Sequence, residues 1–196
     1  MLQQYLNDLF KTAKAGDARE ESYYPDLKKF LENWNKNKKF HVTSLPKKTE
    51  AGNPDFRVWD GKQHIVGYIE AKDPKINLDS IETSEQLTRY RGTFPNLILT
   101  NFFEFRLYRN GQRIDRTIIG QPFALIHKIS EISPAQNQNE FTALLAQFFS
   151  FSIPQTYTAK QLAIELAKRT RFLRDQVIKE ELKEEKVKGS QTLEGF

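Results

Sequence analysis

Asp55-Phe56-Arg57-Val58-Trp59, then Asp60-Gly61-Lys62-Gln63, then His64-Ile65-Val66-Gly67-Tyr68-Ile69-Glu70-Ala71-Lys72 is the stretch on which the reading of the fold turns. Its two flanks are rich in aromatic and β-branched residues, and the middle is prone to turn, which is a hairpin signature. Side chains alternate across a strand, so Glu70 and Lys72 share one face while Ile65, Ile69 and Ala71 take the other, towards a core. Asp55 is expected to join Glu70 and Lys72. To lie opposite Glu70 it needs a turn centred near Lys62-Gln63, longer than the two-residue turn that Asp60-Gly61 alone implies, or a bulge that corrects the register. Pro54 fits at a strand start, where its missing N–H costs no ladder hydrogen bond.

Two carboxylates and an amine on one face offer a hard divalent cation, with Mg2+ the expected ion, two oxygen ligands and leave positions for water and a phosphate oxygen. A metal-bound water loses its proton more readily, and the metal neutralises charge that builds on a phosphoryl centre. Lys72 is placed to orient or help deprotonate that water. The set Pro54, Asp55, Glu70, Ala71 and Lys72 resembles the motif of the PD-(D/E)XK nuclease superfamily. That resemblance implies Mg2+ bound by Asp55, Glu70 and the main-chain carbonyl of Ala71, with Mn2+ able to substitute. It also implies that Lys72 positions the attacking water and that phosphodiesters are cut to leave 5′-phosphate ends.

The order of elements supports the resemblance. Leu2, Tyr5, Leu6, Leu9 and Phe10 recur at helical spacing, and a second helix is expected from about Arg19 to Trp34, with Pro25 in its first turns. Phe40 to Leu45 reads as a strand ahead of the hairpin. Ser80 to Arg91 reads as a polar helix, Asn96 to Thr100 as a short strand buried on both faces, and Phe103 to Tyr108 as an outer strand closed by the Asn110-Gly111 turn. Helix, three strands, helix and strand make an αβββαβ core. The fold class expected is therefore α/β and restriction-endonuclease-like, with a mixed central sheet, flanking helices and a C-terminal helical extension.

Two further segments resemble the N-terminal nuclease domains of fused restriction-modification enzymes of the type IIG or type ISP kind. The segment Arg19-Glu20-Glu21-Ser22-Tyr23-Tyr24-Pro25 is similar to their first helix, which implies an active-site role for Glu20, with Glu21 as the alternative. An acid there also suits the dipole of a helix N-terminus without any catalysis. Gln86-Leu87-Thr88-Arg89-Tyr90 is similar to their Gln-x-x-x-Tyr element, which implies that Gln86 sits near the centre, against a plain solvated position.

Composition narrows the classes. Aromatics make up 12% of the 196 residues, fifteen of them Phe, so the chain can bury a substantial core. With no cysteine, disulfides and thiolate metal sites are excluded, and a reducing cytoplasm is the expected location. His41, His64 and His127 show no metal-ligand spacing. No run approaches transmembrane length, so no membrane partner is expected. A net charge of +5 suits a polyanion, and Lys36, Lys38, Lys39, Lys47 and Lys48 flank the first strand, where phosphate contact and plain solvation are both open.

Beyond the core, Phe123 to Ile126 is the best further strand candidate, and Phe141, Leu144, Leu145, Phe148 and Phe149 should form one helix face covering the sheet. A boundary falls at Pro154 to Tyr157. Thr158 and Gln161 cap a long helix reaching about Lys186, whose Leu162, Leu166, Leu173 and Val177 form a narrow apolar stripe. The expected division is a nuclease domain over 1–153, a helical connector over 154–188 and a disordered tail over 189–196. In the resembled family such a connector leads to an adenine-methylating domain, of which the sequence holds no motif, so a methyltransferase or specificity module is expected in the same or a partner chain.

The function expected is a Mg2+-dependent DNA endonuclease acting on double-stranded DNA, the type II-like cleavage module of a restriction-modification enzyme. Two alternatives stand beside it: a nuclease-fold module that binds DNA or protein without cutting, and a repair or junction-resolving nuclease.

Overall fold

The alternation in residues 55–72 becomes the middle of a six-stranded sheet. In the computed structural model the strands are β1 (His41–Ser44), β2 (Phe56–Trp59), β3 (Ile65–Ala71), β4 (Asn96–Thr100), β5 (Glu104–Arg109) and β6 (Gln112–Ile118), lying side by side in chain order. Neighbours are antiparallel except β3 and β4, which are parallel. A parallel pair cannot be joined by a tight turn, and the chain between them carries the crossover helix. The structure describes residues 1–34, 40–49, 51–61, 64–122, 134–151 and 159–172, together with 174 and 178. It divides into two compact units, Met1–Ser152 and Ile153–Phe196.

The register explains how the acids meet. Phe56 pairs with Ile69, Arg57 with Tyr68 and Val58 with Gly67, which sets Asp55 level with Glu70. One step further Trp59 pairs with Ile65, so β3 carries a bulge at Val66. The bulge changes which residue faces the core: Val66 is buried, whereas Ile65, expected inside, is half-exposed.

Each face of the sheet has its own core. On one side lie α1 (Leu2–Lys14), a 3-10 turn (Glu20–Tyr23) running into α2 (Tyr24–Asn33), and α4 (Gln138–Phe149), packed on Phe56, Val58, Ile69, Ala71, Ile98, Phe105 and Leu107. Aromatic rings bind these layers, with Tyr24 on Phe56 at 4.8 Å and Phe105 on Phe141 at 4.7 Å. Each fully buried ring or leucine contributes about 1.5–3 kcal/mol. On the other side a 3-10 turn (Leu78–Ser80) and α3 (Glu85–Thr93) cover Leu97, Leu99 and Tyr108 with Leu78, Leu87, Tyr90 and Phe94. Gly67 admits the tightest approach: a Cβ there would lie 2.7 Å from Asn96 O and from a ring carbon of Phe148.

Several boundaries differ from the sequence reading, each for a local reason. The helix expected over Arg19–Trp34 begins as a 3-10 turn, and Pro25 enters at the start of α2, where its lack of an N–H does no harm. The helix expected over Ser80–Arg91 is two pieces: Asn77 caps the 3-10 turn through Asp79 N, and Ser84 caps α3 through Leu87 N. Strand β5 is not outer. It is paired on both sides, because Asn110 and Gly111, with φ of 49° and 85°, fold β6 back against it.

The expected strand at Phe123–Ile126, the lysines Lys36, Lys38 and Lys39, the boundary at Pro154–Tyr157, the Thr158 cap, Leu173, Val177 and the tail over 189–196 lie outside the described residues. In the second unit α5 (Ala159–Phe172) is helical, with Leu162, Ile164 and Leu166 exposed. Among the described residues no helix is long and apolar enough to cross a membrane.

Candidate active site

At the end of β3 the chain delivers Glu70, Ala71 and Lys72 in succession, and the residue that leads into β2 is Asp55. Asp55 Oδ2 accepts the main-chain N–H of Ala71 at 2.8 Å, which fixes the carboxylate against the strand end. Lys72 Nζ donates to Glu70 Oε1 at 2.6 Å, and its own N–H donates to Thr100 O at 2.8 Å, holding the backbone to β4 as β3 ends.

Glu70 is 1% exposed, and its Oε2 is buried with no hydrogen-bond donor. The nearest acidic neighbour, Asp55, is itself an acceptor. Burial first, and then repulsion from Asp55, push the Glu70 carboxyl up to about 8, against the pull of Lys72. Burial alone would lower the Lys72 ammonium; Glu70, Asp55 and Glu20 together outweigh it and hold the group above the usual amine value. Lys72 is thus a fixed cation among three carboxylates. An orphaned carboxylate oxygen beside a second carboxylate is an arrangement a divalent cation would relieve. Among the described residues no group of three or more His, Cys, Asp or Glu is arranged to hold a metal, so the side-chain donors here are two acids, Asp55 and Glu70.

Glu20 comes from the opposite layer. Its Oε2 accepts the N–H of Asp73 at 2.8 Å and its Oε1 the hydroxyl of Tyr24 at 3.1 Å. Burial raises its carboxyl above the usual value, with Lys72 acting in opposition. Glu20 therefore clamps the chain just after Lys72 to the first helical layer. Its neighbour Glu21 pairs with Arg19 at 3.1 Å on the surface.

Gln86 is less direct. Its Nε2 donates to Tyr90 Oη at 3.3 Å, and no hydrogen bond joins it to Asp55, Glu70 or Lys72 among the contacts described. Tyr90 is the link: it is buried, and its hydroxyl is raised mainly by burial and further by the charges of Glu70 and Asp55.

Tyr24 was not singled out by the sequence reading. Its hydroxyl donates to Glu20, and burial followed by the charges of Asp55 and Glu20 raises it far above an ordinary phenol. The signal was present in Glu20 and Tyr24 standing four residues apart at a helix start, a spacing that brings side chains together. Arg106 was also missed. Part of a segment expected as an outer strand, it is fully buried and bridges Glu104 at 2.6 Å, Asp79 at 2.6 Å and Glu82. Glu82 also accepts from Tyr108 Oη at 2.8 Å and Arg113 at 3.0 Å, and Glu104 from Arg116 at 2.7 Å. This network ties the segment that follows Lys72 to β5 and β6.

The fold defines an α/β chain of the restriction-endonuclease-like class: a mixed six-stranded sheet with helices on both faces. The chain is similar to a solved structure, a DrdV–DNA complex determined by cryo-electron microscopy. The two share 25% sequence identity with a TM-score of 0.57, over 79% of this chain and 14% of that one. This chain thus spans a small part of the length of the protein it resembles. No family model matches the sequence, and no curated protein matches it.

Proposed function

We propose that this chain is a Mg2+-dependent DNA endonuclease module of the PD-(D/E)XK kind, the cleavage part of a restriction-modification enzyme. The observation that carries the reading is the convergence of Asp55, Glu70 and Lys72 on adjacent strand ends, with Glu70 Oε2 buried and unpartnered. Asp55, Glu70 and the Ala71 carbonyl are the groups that would hold the ion, and Mn2+ fits the same oxygen donors. When bound, such an ion supplies charge neutralisation at the phosphate and a more acidic water.

The remaining roles belong to the chain. Lys72, held as an ammonium by its acidic neighbours, orients the attacking water and offers its charge to the scissile phosphate. Glu20 keeps the strand end and Lys72 in place through Asp73 N, and Gln86 with Tyr90 completes the wall on the α3 side. The partner is duplex DNA, and a methyltransferase or specificity module in the same or a partner chain selects where cutting occurs. Location in the cytoplasm accords with the absence of cysteine.

The second reading, a nuclease-fold module that binds without cutting, draws on one fact: the described residues offer no three-residue acidic or histidine metal group. Supercoiled-plasmid nicking with Mg2+ or Mn2+ separates the two. Nicking that chelator, Asp55→Ala and Lys72→Ala each abolish is the expected result. Magnesium binding that Asp55→Ala leaves unchanged, or no binding of the ion at all, would give the lead to the non-catalytic module.

A further inference from the structure

Two unusual features meet at Leu45. The residue is 66% exposed, more than any other large apolar residue described. Its backbone has φ of 48°, the left-handed region that a non-glycine residue enters only at a cost. An exposed leucine alone needs no explanation. Exposure and strain at one residue do, especially where its N–H donates to the carbonyl of Asp55 at 2.7 Å.

The segment that carries Leu45 is firmly held. Pro46 is buried. Thr49 and Gly52 exchange main-chain hydrogen bonds at 2.8 and 3.1 Å, and Thr49 Oγ1 adds another to Gly52 O. Arg89 Nε on α3 donates to Ala51 O at 2.7 Å. Gly52, with φ of 125°, lies against the Tyr90 ring, where a Cβ would come within 3.2 Å of two ring-system atoms. The stem of the loop is thereby locked to the wall of the candidate site, and the leucine is displayed by a braced backbone.

Lys47 and Lys48 follow, both exposed. An apolar tip beside two ammonium groups, rooted at the main chain of a candidate catalytic acid, matches the chemistry of duplex DNA. Lysines neutralise phosphates, and aliphatic side chains enter a groove and wedge against base steps. The chain's net charge of +5 and the DNA in the similar DrdV complex favour nucleic acid over a protein surface as the occupant.

We propose that Leu45-Pro46-Lys47-Lys48 is a DNA-docking arm that sets Leu45 into a groove, lays Lys47 and Lys48 on phosphates and so registers the duplex against Asp55. The registering role rests on the endonuclease reading; the binding role stands without it.

The test is fluorescence anisotropy of the full chain on a labelled duplex in chelator, so that nothing is cut, over a range of salt. Leu45→Gly removes the apolar tip and relieves the left-handed backbone. It is expected to melt no lower than the wild type yet to bind roughly tenfold more weakly, with the salt dependence unchanged. Lys47→Ala with Lys48→Ala is expected to reduce the slope of log affinity against log salt by about 2. Unchanged affinity in Leu45→Gly overturns the proposal, as an arm made for a protein partner would give, and so does an unchanged slope in the lysine variant or a wild type that binds no duplex. A wild type that binds in the expected way but nicks no plasmid with Mg2+ leaves the arm in place and removes the endonuclease reading instead.

Discussion

Asp55 Oδ2 and the main-chain N–H of Ala71 are joined at 2.8 Å, so the acid leading into β2 is tied to the residue that separates Glu70 from Lys72. One carboxylate oxygen is thereby spent on the fold, and the same side chain is a proposed metal ligand. Asp55→Ala removes both functions and leaves a strand-end N–H without its partner, at a cost of about 1–3 kcal/mol. Asp55→Asn keeps an acceptor of the same shape but not the charge. The expected outcome is a lower urea midpoint for Asp55→Ala, a near-native midpoint for Asp55→Asn, and loss of nicking in both. A near-native Asp55→Asn that still cuts with Mg2+ would remove Asp55 from the chemistry.

Glu70 is the opposite case, a group whose ionised form weakens the metal-free fold. Its folded value of about 8 stands above the ordinary 4.5, so between those limits the folded protein holds a proton that the unfolded chain has lost. The stability it contributes is therefore complete below the lower value and is lost as pH rises through the upper one. Glu70→Gln fills the same space without charge. In chelator it should be more stable than the wild type by about 1–3 kcal/mol near pH 9, with the difference shrinking towards pH 5. Urea unfolding at both pH values measures this. Equal stability at the alkaline end would mean that the buried charge is already compensated.

Arg106 holds three carboxylates from a fully buried position. Arg106→Ala would leave Glu82 with Tyr108 and Arg113, and Glu104 with Arg116, and is expected to cost about 1–3 kcal/mol. For Glu82, burial works to raise the carboxyl, and Tyr108, Arg113 and Arg106 overcome it and hold it below its usual 4.5. Its contribution is thus present above that value and lost as pH falls through the lower folded one. Glu82→Gln should flatten the acid limb of the stability curve while leaving its alkaline side alone. A variant with the wild-type acid limb would place the acid sensitivity elsewhere.

Much of this architecture was legible because periodicity and burial coincide. The alternation of Phe56, Val58, Ile69 and Ala71 names one face, the run Leu97-Ile98-Leu99 names a strand covered on both, and Asn110-Gly111 names its turn. The level pairing of Asp55 with Glu70 was expected only with a longer turn or a bulge, and the strands carry such a bulge. What the spacing could not give is which local device wins. The Val66 bulge reverses the expected burial of Ile65 and Val66, and Ser84 breaks a helix that composition alone would continue. Arg106 misled for a different reason: an alternating Glu-Phe-Arg-Leu pattern reads as a half-solvated strand, and only the tertiary arrival of Asp79 and Glu82 buries it. Within the candidate site, the proximity of Glu20 was visible only through resemblance, and its two hydrogen bonds depend on how α2 meets the strand ends.

Tyr24 tests whether that meeting matters for function. Its hydroxyl donates to Glu20 at 3.1 Å and feels the charge of Asp55, while its ring packs on Phe56 at 4.8 Å. Tyr24→Phe keeps the ring, and hence the packing, and removes one polar atom between two acids. A buried neutral hydrogen bond to a charged group contributes about 1.5–3 kcal/mol, part of which returns because Glu20 keeps its bond from Asp73 N. The expected thermal shift is therefore small. The functional effect should be larger, because Glu20 Oε1 loses its donor and Lys72 is left to offset the repulsion between Glu20 and Asp55. Plasmid nicking is expected to fall about tenfold, which corresponds to about 1.4 kcal/mol, with a matching rise in the Mg2+ concentration needed for half-maximal rate. Tyr24→Phe with Glu20→Gln, which removes the repulsion as well as the hydroxyl, should recover part of the metal affinity. A Tyr24→Phe variant that nicks like the wild type would show that Tyr24 acts through packing alone, and a double variant no better than the single one in magnesium titration would show that Glu20 plays no part in setting the charge of the site.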